Sequence, residues 1–250
     1  MKKTLTYLTI LLIAFLSLAA AVVQETVNTC QVVYNGKYEP NGSTWVILDH
    51  EEHGKREVAL AEANDSIPIA YMSAHWEQWR KDSAWFESCT MGPIPDWDNE
   101  QYVDWDKYIQ VARKGKLVSI QPVKLVMQQR LDEIKANGFL GVDIDNVDGP
   151  DSLAYFAWLF DEAKARGLLV GLKNCADVYM ENGKIKISKN CNLYTHGSRV
   201  DFFVTEASDR NELHVYEQFS QPCFRMYYKK GAETPMFMSE ATRNKDGNRF

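Results

Sequence analysis

Residues 123–174 read VKLVMQQRLDEIKANGFLGVDIDNVDGPDSLAYFAWLFDEAKARGLLVGLKN. Val126, Leu131 and Ile134 fall on one face of an amphipathic helix over Val123–Asn137, with Arg130 and Glu133 off that face. Gly138 follows as the residue expected just past a helix end. Phe139–Ile144 is a short apolar run, read as a buried strand. Gly149-Pro150-Asp151 opens a second helix, with proline near its first turn, and that helix runs to about Arg166. Gly167 ends it, and Leu168–Leu172 is the next buried strand. Helices alternating with fully apolar strands predict a parallel sheet covered by helices.

The same alternation extends outward from this stretch. Cys30–Tyr34, Trp45–Leu48 and Ile67–Ser73 precede it as strands, with a helix-forming segment at Lys55–Asn64. Val200–Thr205, Cys223–Tyr228 and Pro235–Ser239 follow it, and Glu212–Phe219 is the best helix candidate among them. Residues 74–115 are polar and aromatic, carry Pro93 and Pro95, and read as an insertion or long loop; Leu117–Ile120 is a short strand candidate. Eight principal strands in roughly 230 residues predict an α/β fold of the (β/α)8 TIM-barrel type, a single domain over residues 22–250. An open doubly wound sheet is the alternative.

Composition excludes other classes. The 250 residues are 45% hydrophobic and 25% charged, as in ordinary globular chains. The net charge of −6, with no run of five like charges, argues against a nucleic-acid partner. Lys2 and Lys3, the apolar stretch Tyr7–Leu18 and then Ala19-Ala20-Ala21 have the form of a secretory signal peptide over residues 1–21. The apolar run is short for a membrane span, so no stable membrane insertion is expected after cleavage. Loss of the two lysines brings the exported chain to −8. A secreted or periplasmic location is expected, and a monomer. Of Cys30, Cys89, Cys175, Cys191 and Cys223, the pair Cys175–Cys191 is the most plausible local bridge.

In a barrel the active site lies at the C-terminal ends of the strands. The polar residues there are Asp49, then Ser73, His75, Trp76 and Glu77, then Asp143, Asp145, Asn146 and Asp148, then Lys173 and Asn174, then Glu206, then Tyr227. Carboxylates, one lysine and aromatics suit carbohydrate chemistry better than hydride or phosphoryl transfer. Period-2 geometry puts Asp143 and Asp145 on one face of their strand, with Val142 and Ile144 on the other. Two carboxylates in one desolvated mouth repel, and one should hold its proton more tightly. Asp143 is equally readable as part of a structural network, and Asp148 as a turn-maker before Gly149-Pro150. Glu206 supplies a second carboxylate beside Asp145, and glycoside cleavage needs two. Among the aromatics, Trp76 and Tyr71 are the candidate sugar contacts. His50-Glu-Glu-His53 reads as a solvated loop rather than a metal site, and Val147 breaks a calcium-loop pattern. No metal and no cofactor are expected.

The segments Ala70–Asp82 (AYMSAHWEQWRKD), Gly138–Gly149 (GFLGVDIDNVDG) and Glu162–Asn174 (EAKARGLLVGLKN) resemble glycoside hydrolase family 114. Its members are endo-α-1,4-polygalactosaminidase-like enzymes on a (β/α)8 barrel. The resemblance covers about residues 45–228. It implies that Asp145 and Glu206 are the catalytic carboxylates, one protonating the leaving oxygen and the other stabilising the transition state. It implies site-lining roles for Asp49, Asn146, Asp148, Lys173 and Asn174. Thr205-Glu206-Ala207-Ser208 lacks the cysteine that the family tends to carry there, and Cys175 stands where Asp or Ala is usual. The expected partner is a polysaccharide or oligosaccharide. A non-catalytic glycan-binding barrel on the same scaffold is the alternative.

Overall fold

The computed structural model describes residues 28–95, 97–147, 152–176, 178–181, 184–187, 192–206, 215–216 and 218–226. In chain order the elements are β1 (Cys30–Val33), β2 (Trp45–Asp49), α1 (Lys55–Glu62), β3 (Ile67–Ser73), β4 (Trp76–Glu77) and α2 (Ser83–Phe86). There follow β5 (Thr90–Ile94), β6 (Trp97–Val103), β7 (Ile109–Arg113), β8 (Lys116–Ile120), α3 (Pro122–Ala136), β9 (Gly141–Asp145) and α4 (Ser152–Ala165). The last are β10 (Leu169–Lys173), β11 (Val178–Glu181), β12 (Lys184–Ile187), α5 (Asn192–His196), β13 (Phe202–Thr205) and β14 (Cys223–Arg225).

Seven strands form one parallel sheet in the order β1-β2-β3-β9-β10-β13-β14. It curls into a nearly closed barrel of the (β/α)8 type. The two ends of this sheet approach each other inside it: Tyr34, just past β1, reaches Met226, just past β14, with Oη 3.7 Å from Sδ, and the ring of Trp45 on β2 lies 5.3 Å from that of Phe224 on β14. The eighth expected strand, Pro235–Ser239, lies outside the described residues, as does Cys191 of the expected bridge.

Period-2 alternation divides each strand between two cores. Trp45, Ile47, Ile69, Tyr71, Phe202, Val204 and Phe224 fill the barrel interior. Val46, Leu48, Ala70, Met72, Val142, Ile144, Val170, Leu172 and Phe203 face outward and pack under the helices. There they meet Met127, Leu131 and Ile134 of α3 and Phe156, Leu159 and Phe160 of α4. Each such side chain contributes about 1.5–3 kcal/mol by leaving water. Gly138 ends α3 at φ +93°, a conformation that costs a residue with a Cβ. Gly171 has a different reason to be glycine. A Cβ there would stand 2.1 Å from Phe202 Cε2, so the ring occupies the space that a side chain on β10 would take.

Three expectations need correction. Residues 74–115 are not a loop: β4, β6 and β5 form a three-stranded antiparallel sheet, and β7 pairs with β8 as a hairpin. Within Glu212–Phe219 the described residues form turns and a bend rather than a helix. Arg130 does not lie off the buried face of α3: it is 1% exposed. Its guanidinium grips both oxygens of Asp82 at 2.6 and 2.7 Å, and donates to the Ser73 carbonyl at 2.9 Å. Burial is tolerated because these bonds satisfy most of the charge's hydrogen-bonding capacity.

Candidate active site

The C-terminal ends of the strands open into a cleft of about 490 Å³. β9 delivers Asp145, β10 delivers Lys173, and Glu206 follows the end of β13. Lys173 Nζ lies 2.8 Å from Asp145 Oδ2 and 3.2 Å from Glu206 Oε1, so one ammonium joins the two carboxylates. Burial opposes a charge on Lys173, but Asp145, Tyr34 and Glu206 outweigh it and hold the ammonium well above the usual lysine range. Tyr34 and Tyr71 flank that ammonium, each ring centroid 5.7 Å away.

Each carboxylate is held from several sides. Asp145 Oδ2 also accepts the Tyr71 hydroxyl at 2.9 Å, and its Oδ1 accepts the Asn146 backbone N–H at 2.8 Å. Burial, then the charge of Asp145, pushes the Tyr71 phenol well above the usual tyrosine range, so it remains a donor. Glu206 Oε2 accepts Asn174 Nδ2 at 2.6 Å, while the Glu206 N–H donates to Asn174 Oδ1 at 2.8 Å. Asn146 and Asn174 each sit one residue past a site-bearing strand, at φ +57° and +51°. Asparagine tolerates this left-handed turn better than most side chains. The turn brings the Asn146 backbone N–H onto Asp145 and the Asn174 side-chain amide onto Glu206.

The insertion builds the second wall. Arg80 lines the cleft and donates to Glu77 at 2.5 Å and to Asp49 at 2.8 Å. Asp49 also accepts the Glu51 N–H at 2.9 Å. Its carboxylate is therefore held in an ion pair at the cleft wall. Glu100 on β6 accepts Asn146 Nδ2 at 2.6 Å, and Ser73 Oγ lies 3.1 Å from the same nitrogen. Burial, and next the charge of Glu77, pushes the Glu100 carboxyl up to about 7. The Trp79 and Trp97 indoles, 56% and 54% exposed, form apolar parts of the lining.

Of the residues singled out from the sequence, Asp49, Tyr71, Asp145, Asn146, Lys173, Asn174 and Glu206 border one cleft. Asp148 and Tyr227 lie outside the described residues. Trp76 is not in the lining: its indole is buried, and its N–H donates to the Ser83 carbonyl at 3.0 Å. Trp79 and Trp97 offer the exposed aromatic faces instead. Asp143 points inward as Asp145 does, but it lies below the cleft at 0% exposure. His50 and His53 are buried rather than solvated. Sequence reasoning did not single out Tyr34, Arg80, Glu100, Trp79 or Trp97 as site residues. The run Trp97–Val103 (WDNEQYV) carries four polar residues in succession, so no local pattern marks Glu100 as standing on a strand.

Asp143 yields a pH prediction. Burial, then the charges of Asp145 and Glu206 against that of Lys173, raises its carboxyl well above the usual range. The folded state therefore keeps a proton that the unfolded chain releases above pH ~4. The stabilisation linked to this proton is present below that pH. It is lost at about 1.4 kcal/mol per pH unit as pH rises, until the folded carboxyl itself ionises. Asp143→Asn cannot ionise and escapes this loss. We expect the variant to be more stable than wild type at pH 7, with the gap closing towards pH 4 in urea titrations. A gap independent of pH would refute this account.

No curated protein matches the chain. Among solved structures the chain is similar to Aspergillus fumigatus Ega3 in complex with galactosamine. That alignment has 24% identity, covers 83% of this chain and 80% of that one, and has a TM-score of 0.65. This likeness shows the fold. The glycoside hydrolase domain of PelA from Pseudomonas aeruginosa aligns at 13% identity over 71% of this chain and 67% of that one, with a TM-score of 0.48. The model of glycoside-hydrolase family GH114 matches residues 15–250, nearly the whole sequence. A barrel with two carboxylates at its mouth, matched over that span, belongs to glycoside-hydrolase family GH114.

Proposed function

We propose that this glycosidase cuts α-1,4-linked galactosamine polymers within the chain, with Asp145 and Glu206 as the catalytic pair and with retention of anomeric configuration. The observation that carries this is the single Lys173 ammonium joining both carboxylates. The two bridge lengths laid end to end limit the bridging oxygens to a separation of about 6 Å. Inverting enzymes hold their carboxyl groups ~6.5–9.5 Å apart to admit a water, while retaining ones use ~5–5.5 Å.

Asp145 is the nucleophile. Three donors, the Tyr71 hydroxyl, the Lys173 ammonium and the Asn146 N–H, hold it in place, and its side chain is 11% exposed. Its carboxylate attacks the anomeric carbon as the glycosidic bond breaks. Glu206, 21% exposed and nearer to water, protonates the leaving oxygen. It then takes a proton from the water that releases the glycosyl-enzyme. Lys173 moves with the charge, pairing with whichever carboxylate is ionised. The acid-lined cleft and the galactosamine bound to the similar fold of Ega3 support the amino-sugar substrate. Lys2, Lys3, the apolar stretch after them and Ala19–Ala21 support export with cleavage near Ala21.

The test is incubation of the mature protein with de-N-acetylated and N-acetylated α-1,4-galactosamine oligomers. Proton NMR would follow the first-formed product. Internal cuts that release the α-anomer first are expected. Terminal trimming alone, a β-anomer first, or binding without cleavage would each contradict part of the proposal.

A further inference from the structure

Seven carboxyl side chains border the cleft, faced by two cations, Arg80 and Lys173. Arg80 is held by Asp49 and Glu77, and Lys173 by Asp145 and Glu206. Glu51 still reaches Arg80 at 4.0 Å. Among the described residues, the carboxyls of Glu52 and Glu100 form no ion pair; Glu52 is exposed to water, and Glu100 is not. Glu100 is 5% exposed, which is costly for an uncompensated carboxylate. Its bond to Asn146 Nδ2 places it one residue from Asp145, beside the bond to be cut. Trp97, three positions earlier on β6, lines the same cleft. A buried carboxyl lacking a cation, near the reacting pair and on the strand that carries an exposed indole, is built to receive a positive group from the ligand.

Resting on the galactosamine reading above, we propose that Glu100 is the specificity-determining residue of the cleft: its carboxylate receives the 2-ammonium group of a sugar bound at the cleavage site. An acetamido group at that position is neutral and bulkier, and leaves Glu100 desolvated without a cation. The groups around Glu100 set its state before substrate arrives. Glu77 and Asp145 repel its negative charge, Lys173 and the Asn146 amide favour it, and burial opposes it most, so the carboxyl holds a proton up to about pH 7. Arg80 and the Tyr71 phenol are nearby, engaged with Glu77, Asp49 and Asp145. An arriving ammonium must therefore displace that proton. The neutral carboxyl and the cationic amine become an ion pair, and one proton goes to solvent.

The test uses the mature protein and Glu100→Gln, which keeps an acceptor for Asn146 but no charge. Kinetics are compared on de-N-acetylated and fully N-acetylated α-1,4-galactosamine oligomers of equal length. We expect Glu100→Gln to raise KM for the amine oligomer about tenfold or more, as loss of a desolvated charge pair does. The amine-over-acetamide ratio of kcat/KM should fall by the same factor. Calorimetry is then run at pH 6.5 in buffers of different ionisation heat, in a Glu206→Gln background so that the oligomer stays intact. The Glu206→Gln protein should release most of one proton per amine oligomer bound, and Glu206→Gln/Glu100→Gln should release none. An unchanged selectivity ratio, an equal fall of kcat on both oligomers, or binding without proton release would overturn the role of Glu100. Wild-type protein that neither cuts nor binds either oligomer would instead overturn the substrate reading itself.

Discussion

We expect Asp145→Asn and Glu206→Gln each to lower turnover of the galactosamine polymer by about 10³-fold or more, with little change in the folded structure. Loss of a positioned acid–base group alone costs ~10²–10⁴. Asp143 cannot replace Asp145, because it lies buried below the cleft. Alanine variants rescued by azide separate the two roles. With Asp145→Ala, azide attacks in place of the missing carboxylate and gives a glycosyl azide of inverted configuration. With Glu206→Ala, the covalent intermediate still forms, and azide then gives the retained configuration. The opposite stereochemistry would exchange the assignments. Near-normal turnover in both parent variants would remove these residues from the mechanism altogether.

The second large effect is on stability. Arg130→Met should lower unfolding free energy by about 3–5 kcal/mol, because it leaves buried Asp82 without its partner. In a chain of this size that corresponds to a fall in Tm on the order of 10 °C. Arg130 also donates to the Ser73 carbonyl, while the Ser73 hydroxyl lies 3.1 Å from the Asn146 amide. The loss should therefore extend to activity. Urea denaturation measures the first effect. A double variant, Arg130→Met with Asp82→Leu, should recover part of the stability, since it removes both charges. Equal losses in the single and double variants would mean that helix packing rather than the ion pair is responsible.

The barrel was legible because its main signals are local. Strands of three to seven residues with apolar runs, separated by helices, leave few other arrangements. Strand pleating alone puts Val142 and Ile144 on one face and Asp143 and Asp145 on the other; the packing of the valine and isoleucine under the helices turns the aspartates to the axis. The insertion was less legible. The alternation in Thr90–Ile94 is broken by Gly92 and Pro93, and the pairing of β5 with β6 shifts register twice. Arg130 was misread for a related reason. Helical periodicity assigns a charged residue to the solvent face, and nothing local reveals that Asp82, 48 positions earlier, will meet it.

What the chain determines through its order of residues is therefore the repeating strand–helix unit, the inward direction of the strand-end polar groups, and the apolar content of both cores. Depth and company were decided only by folding. Asp143 and Asp145 have the same type and the same strand face, yet one is buried beneath the cleft and the other borders it. Trp76 is enclosed while Trp79, three residues on, presents its ring to the cleft. Glu100 reaches Asn146 across 46 positions of sequence. Burial and electrostatic environment depend on atoms brought together from distant parts of the chain. No window of neighbouring residues contains that information.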